Sequence, residues 1–269
     1  MSKYSEIKKI TVSHLKKMKK DGEKICCLTA YDYTSAIMLD NAGIDLILVG
    51  DSLGMVMNGY ENTLEVTLEE IIYHTKAVKR GIKRAFLTAD MPFGTYHISR
   101  KQALENCVRV IKESGAEAVK LEGGKEIASL VKKITGAGIN VVGHIGLMPQ
   151  YVHQMGGYKI QGKNGSEELI EDALALQDAG VFSIVLEGVV ANVAQKITDA
   201  LDIPTIGIGA GIGCDGQILV YHDVLGLFDK FVPKFVKQYA NLKPVIENAA
   251  RQYIEEVKDG KFPEKKHSF

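Results

Sequence analysis

A chain of 269 residues with a hydrophobic content of 46% can bury one large core, and its length is normal for a single α/β barrel. Its 33 basic and 33 acidic residues cancel, so no global field recruits nucleic acid or an anionic membrane, and a small-molecule partner is expected. No apolar run approaches the ~20 residues that cross a bilayer, and Cys26, Cys27, Cys107 and Cys214 form neither a C-x-x-C pair nor a secreted framework, which reads as reduced thiols in a cytoplasm.

Residues 8–24 are Lys-rich and mildly amphipathic but lack the apolar h-region of a signal peptide, so a surface helix is expected there. Short β-branched or apolar runs follow at 25–30, 46–50, 85–90, 118–122, 140–146, 183–187, 204–209 and 216–221. Helix-period segments lie between them, with capping-box spacing at Thr67 with Glu70 and at Ser99 with Gln102, and stops at Gly81 and Gly115. Such alternation means parallel strands joined by crossover helices. Eight repeats favour a closed (β/α) TIM barrel over an open doubly wound sheet, because closure removes both edges. The expectation is one domain over 1–269, with an N-terminal helical segment 1–24 and a C-terminal helical extension 222–269.

Links from helix to strand at 41–44 and 114–117 are brief, while the strand-to-helix loops at 52–66 and 147–165 are long. Long loops on one rim mark the working face. The glycine-rich loop 147–165, with its aromatic and amide side chains, suits a mobile cover over substrate.

Six ionisable residues stand at the downstream ends of five successive strands: Asp51, Asp90, Lys120 with Glu122, His144 and Glu187. A parallel barrel gathers them at one mouth. Lys120 and Glu122 are two apart and share the inward face of their strand; the bland alternative is a buried salt bridge that only braces the barrel. Asp51 and Asp90 sit where strand becomes loop and taken singly read as caps or Asx-turn residues. Taken together they converge on one ion. With His144 neutral, four carboxylates against one ammonium leave an excess of minus three, which a partly dry pocket does not hold unrelieved. The candidate anionic ligands are oxygen donors, so a hard divalent cation such as magnesium fits best. Glu187, held in an apolar wall, is expected to act as a general base, with a ligand or cap role as the alternative. His144 is a substrate contact or a hydrogen-bonded core group. Ser52 lacks a nucleophile's companions and suits hydrogen bonding to substrate. The glycine string 207–211 is a phosphate cradle or a close passage of backbone.

The segments Thr-Ala-Tyr-Asp-Tyr at 29–33, Leu-Val-Gly-Asp-Ser-Leu-Gly-Met at 48–55, Ala-Asp-Met-Pro-Phe at 89–93, Val-Lys-Leu-Glu-Gly-Gly at 119–124 and Gly-His-Ile-Gly-Leu-Met-Pro-Gln at 143–150 resemble the ketopantoate hydroxymethyltransferase family. So do Gly-Gly-Tyr-Lys-Ile-Gln-Gly at 156–162, Ile-Gly-Ile-Gly-Ala-Gly at 206–211 and the final His-Ser-Phe at 267–269, which extends the likeness over nearly the whole chain. The resemblance implies transfer of a hydroxymethyl group from 5,10-methylenetetrahydrofolate to 3-methyl-2-oxobutanoate through a magnesium-stabilised enolate, towards pantothenate. It implies Mg2+ on Asp51 and Asp90, with Glu122 in the metal's surroundings through water. It further implies Ser52 and Lys120 on the keto acid, Glu187 as base, and a homo-oligomer, a decamer built from dimers. Two rivals stay open. One is a magnesium barrel of the phosphoenolpyruvate mutase and isocitrate lyase type, whose usual Lys-Lys-Cys-Gly loop is absent. The other is a non-catalytic scaffold barrel.

Overall fold

The computed structural model describes residues 8–269 apart from 164, 229 and 231. Eight parallel strands close into a barrel in chain order: β1 Ile25–Thr29, β2 Leu46–Val49, β3 Phe86–Asp90, β4 Ala118–Glu122, β5 Asn140–Gly146, β6 Ser183–Glu187, β7 Thr205–Ile208 and β8 Gly216–Leu219. Each lies within two residues of the run that predicts it. Closure is made by β8 beside β1, with Gly216 opposite Ile25 and Ile218 opposite Cys27. The expected closed barrel is the fold.

Among the described residues up to Val220 there are seven longer helices: α1 Val12–Asp21, α2 Tyr33–Ala42, α3 Leu68–Gly81, α4 Arg100–Arg109, α5 Ala128–Gly136, α6 Glu167–Asp178 and α7 Ala191–Ala200. Local chemistry sets their ends. The Thr67 side chain accepts from the Glu70 N–H while Glu70 reaches back to the Thr67 N–H, completing the box that starts α3. Ser99 accepts from Gln102 N and so caps α4. Beyond α4 the chain continues in a wide turn, Val110–Ser114, that Gly115 ends at φ 77°.

The predicted N-terminal surface helix proves to be a plug. On α1, Leu15 and Met18 share a face at i, i+3 and pack into one cluster with Ile25, Cys27, Leu46, Leu48, Phe86, Ala118, Val142, Val185, Ile206 and Ile218. Those strand residues have inward parity, so the lower barrel is filled with apolar side chains and its base is sealed by α1. Lys19 fastens the plug, its Nζ donating to Thr198 O at 2.9 Å and to Asp215 Oδ2 at 2.8 Å.

Asp40 on α2 organises the approach to β3. Its carboxylate accepts from the backbone N–H groups of Lys83, Arg84 and Ala85 at 2.8, 3.0 and 2.7 Å. Asp40→Ala strands all three donors and is expected to lower unfolding free energy by about 3 kcal/mol, read from the urea midpoint, since bonds to a charged group contribute roughly 1.5–3 kcal/mol each.

Residues Tyr221–Phe269 form a second compact unit. The helical extension expected over 222–269 is interrupted: helix occurs at Tyr221–Val224, in α8, Lys243–Lys258, and as a short turn at Lys265–His267, with no helix among the described residues between Val224 and Lys243. Gly226 takes φ 61°, which stops the first piece, and Pro244 stands in the first turn of α8, where a missing N–H costs nothing. None of the side chains of α8 is buried. Among the described residues no helix is long and apolar enough to cross a membrane.

Candidate active site

Inward parity continues upward from the apolar barrel floor into charge. On β3, Phe86, Thr88 and Asp90 share the interior face, and on β4 Ala118, Lys120 and Glu122 do; strand register places Asp90 beside Lys120 and Glu122 beside His144. Asp51, Asp90, Lys120, Glu122 and His144 are all buried, at 5% exposure or less. The structure therefore brings the predicted residues to one mouth.

The contacts are specific. Lys120 Nζ lies 2.9 Å from Asp90 Oδ1, 3.7 Å from Glu122 Oε1 and 3.1 Å from His144 Nδ1. Asp90 Oδ2 accepts from the Asp51 N–H at 2.9 Å, so the two aspartates adjoin. His144 bridges two carboxylates, with Nδ1 3.2 Å from Glu122 Oε1 and Nε2 3.3 Å from Glu187 Oε2. Ser52 Oγ pairs with the buried Tyr31 hydroxyl at 2.8 Å.

Electrostatics sort these groups. Burial raises the Asp51 carboxyl well above the usual range, and the Asp90 and Glu122 charges push it further than Lys120 and Gln150 pull it back. Burial also raises Asp90, against the pull of Lys120 and of the Asp51 N–H. Glu122 goes the other way: burial disfavours its charge, but His144, Lys120 and the Gln150 N–H together hold it below the ordinary value. Burial opposes charge on Lys120 too, and Asp90, Glu122 and Asp51 overcome it, so the ammonium persists. For His144, burial and Lys120 both lower the pKa, yet Glu122 and Glu187 more than offset them and lift it to about 9. The two carboxylates favour the imidazolium over the neutral ring.

Counted with every carboxyl ionised, the mouth carries minus two with His144 protonated and minus three with it neutral, an excess that a divalent cation relieves. A hard cation fits the donors present: two adjoining buried carboxyls whose ionised forms burial opposes, and a buried Asp90 Oδ1 with no aligned hydrogen bond. Among the described residues no group of three or more His, Cys, Asp or Glu side chains is set to hold a metal ion. Glu122 Oε1 faces His144 and its Oε2 accepts from Gln150 N at 3.0 Å, an arrangement that sets its carboxylate beside the aspartate pair.

One expectation changes. Glu187 does not stand in an apolar wall; its side chain is 19% exposed and opposes the imidazole. Both ring nitrogens of His144 face protein groups, Nδ1 towards Glu122 and Lys120 and Nε2 towards Glu187. The glycine string resolves as close passage of backbone: a Cβ on Gly207 would lie 2.9 Å from Cys214 Sγ, and one on Gly211 would lie 2.5 Å from Ala191 Cβ. The loop after β5 is anchored at two points, by Gln150 in the mouth and by Gln161, whose N–H donates to Gly188 O at 2.8 Å while its carbonyl accepts from Val190 N at 3.1 Å. Gln161 is thus stapled to the chain that follows Glu187.

Sequence reasoning missed Tyr96 and Gln150, both buried. The Tyr96 hydroxyl accepts from Glu122 N at 3.2 Å and donates to Gln150 Oε1 at 2.8 Å. Neither carries charge or periodicity; the one signal was that Gln150 closes the motif 143–150.

Comparison with known proteins adds an independent line. Residues 9–265 match the family model described as ketopantoate hydroxymethyltransferase. The 3-methyl-2-oxobutanoate hydroxymethyltransferase of Carboxydothermus hydrogenoformans is 58% identical, over 97% of this chain and 95% of that protein. The protein of the same description from Syntrophus aciditrophicus is 56% identical over 100% of both chains. Among solved structures, 2,3-dimethylmalate lyase, a phosphoenolpyruvate mutase/isocitrate lyase superfamily member, shares the fold with a TM-score of 0.61 and 16% identity, covering 96% of this chain and 91% of that one.

Proposed function

The chain belongs to the ketopantoate hydroxymethyltransferase family, and from that membership we propose that it transfers a hydroxymethyl group from 5,10-methylenetetrahydrofolate to 3-methyl-2-oxobutanoate, giving ketopantoate and tetrahydrofolate in pantothenate biosynthesis. The observation that carries the reading is the mouth itself, where the buried, adjoining Asp51 and Asp90 meet Lys120, Glu122 and His144.

Asp51 and Asp90 are the residues that would hold magnesium, with Glu122 reaching it through water; this ion commonly uses one or two carboxylates and keeps several waters. When bound, the cation supplies Lewis acidity that takes up negative charge as the C3 proton of the keto acid leaves. Lys120 Nζ, fixed against Asp90, faces the substrate's anionic end and neutralises it. Ser52 Oγ, oriented by Tyr31, donates to a substrate oxygen. Glu187 accepts the C3 proton, and His144 Nε2, 3.3 Å away, aims that carboxylate. His144 acts here through Glu187 and Glu122.

The enolate-forming lyases and mutases share the barrel, and the family match decides for the one-carbon transferase. Incubation with 3-methyl-2-oxobutanoate, methylenetetrahydrofolate and magnesium is expected to yield ketopantoate. Turnover of isocitrate or a phosphonate, with none of that mixture, would overturn the reading. We also propose a cytoplasmic homo-oligomer, a decamer. The four cysteines are free, as a reducing compartment requires. Val245, Ile246, Tyr253, Ile254 and Val257 of α8 are exposed, and so is Cys26 on the outer face of β1; apolar faces of this kind call for cover.

A further inference from the structure

Gln150 lies in the short turn Pro149–Tyr151 that opens the loop after β5, and it is 4% exposed. Its Nε2 donates to Asp51 Oδ2 at 2.8 Å and to Met91 O at 3.0 Å, and its Oε1 accepts from the Tyr96 hydroxyl. A primary amide has two N–H donors and one carbonyl, so both donors and the acceptor are in use. The orientation of the amide follows from its surroundings: reversed, it would set an acceptor against two acceptors. Its backbone N–H is committed as well, to Glu122 Oε2 at 3.0 Å.

One residue therefore joins the ends of β2, β3 and β4 to the start of the long loop. Its amide occupies one oxygen of Asp51 and leaves Oδ1 to face a cation. Resting on the assignment of Asp51 as a metal ligand, we infer that Gln150 is a positioning residue for the metal: it fixes the Asp51 carboxylate in the orientation that binds the ion and couples the loop over the mouth to that orientation. Tyr96 holds the amide in turn, since its hydroxyl bonds both Gln150 and Glu122. Groups that orient a metal ligand typically contribute 10–100-fold in affinity.

The test is Mn2+ binding to the whole protein without substrates, followed by electron paramagnetic resonance, with melting recorded separately in the absence of metal. Gln150→Leu keeps the volume and removes the donors, and it is expected to raise the Mn2+ Kd by about 10–100-fold. Gln150→Asn keeps an amide one methylene too short to span Asp51 and Met91, and it is expected to raise the Kd similarly; it carries the test if the leucine variant does not fold. Tyr96→Phe is expected to raise the Kd by a smaller factor. A Kd unchanged within about twofold in folded Gln150 variants, with only the melting point lowered, would make the residue a brace and overturn the inference, even while Asp51→Asn abolishes binding. Failure of the parent protein to bind Mn2+ at all would remove the metal assignment and this inference together.

Discussion

Glu187→Gln is expected to bind magnesium and 3-methyl-2-oxobutanoate as the parent does and to exchange the substrate's C3 proton with deuterated water more slowly by a factor on the order of 10²–10⁴. The other carboxylates are committed: Asp51 bonds Gln150, Asp90 bonds the Asp51 N–H and faces Lys120, and Glu122 is held by His144 and Gln150. Each is 4% exposed or less, whereas the Glu187 side chain is 19% exposed at the open end of β6. Its exposure at the rim lets it meet a substrate carbon. Glutamine preserves shape and can keep an oxygen towards His144 Nε2, but it takes up no proton. The readout is the C3 proton signal followed by NMR with magnesium present and no folate. Exchange at the parent rate would remove Glu187 from the role of base.

The barrel could be read from the chain because each strand is a run bounded by glycine or charge, and because a period of two assigns faces. Val-Lys-Leu-Glu at 119–122 is the clearest case: only one register puts Lys120 and Glu122 together inside, and that register is the one found. The surroundings of Glu187 were not legible in the same way. Its neighbours in sequence, Leu186 and Gly188, say nothing of His144, which reaches it from the adjacent strand. An apolar wall was the natural reading of Ser-Ile-Val-Leu-Glu, yet Ile184 and Leu186 point away from the mouth. The protonation of His144 followed the same logic, since it depends on two carboxylates delivered by register and not by proximity in the chain. Gln150 and Tyr96 were hidden because neutral loop side chains carry no periodic or charge signal, and their role exists only once four segments meet. The plug formed by α1 was masked by composition: eight lysines before residue 25 outweigh two apolar residues three apart.

Lys120→Met separates an active site from a braced barrel. Methionine keeps the length of the side chain and removes the charge, so Asp90 Oδ1 loses its 2.9 Å cation and Glu122 loses one of two. Breaking a buried pair by removing one partner costs about 3–5 kcal/mol, so the melting point measured without metal is expected to fall. A scaffold predicts that loss and nothing more. In the proposed reaction the same ammonium faces the anionic end of the keto acid and offsets charge that grows as the C3 proton departs. Removing one such preorganised charge lowers turnover by on the order of 10²–10³. The mouth would also lose one positive charge beside the aspartate pair. The decisive measurement is kcat/KM at a temperature well below the variant's own melting point, where almost all of it is folded. A loss on the order of 10²–10³ there belongs to chemistry; a variant that melts early yet turns over at the parent rate when cool would show that Lys120 only holds the barrel together.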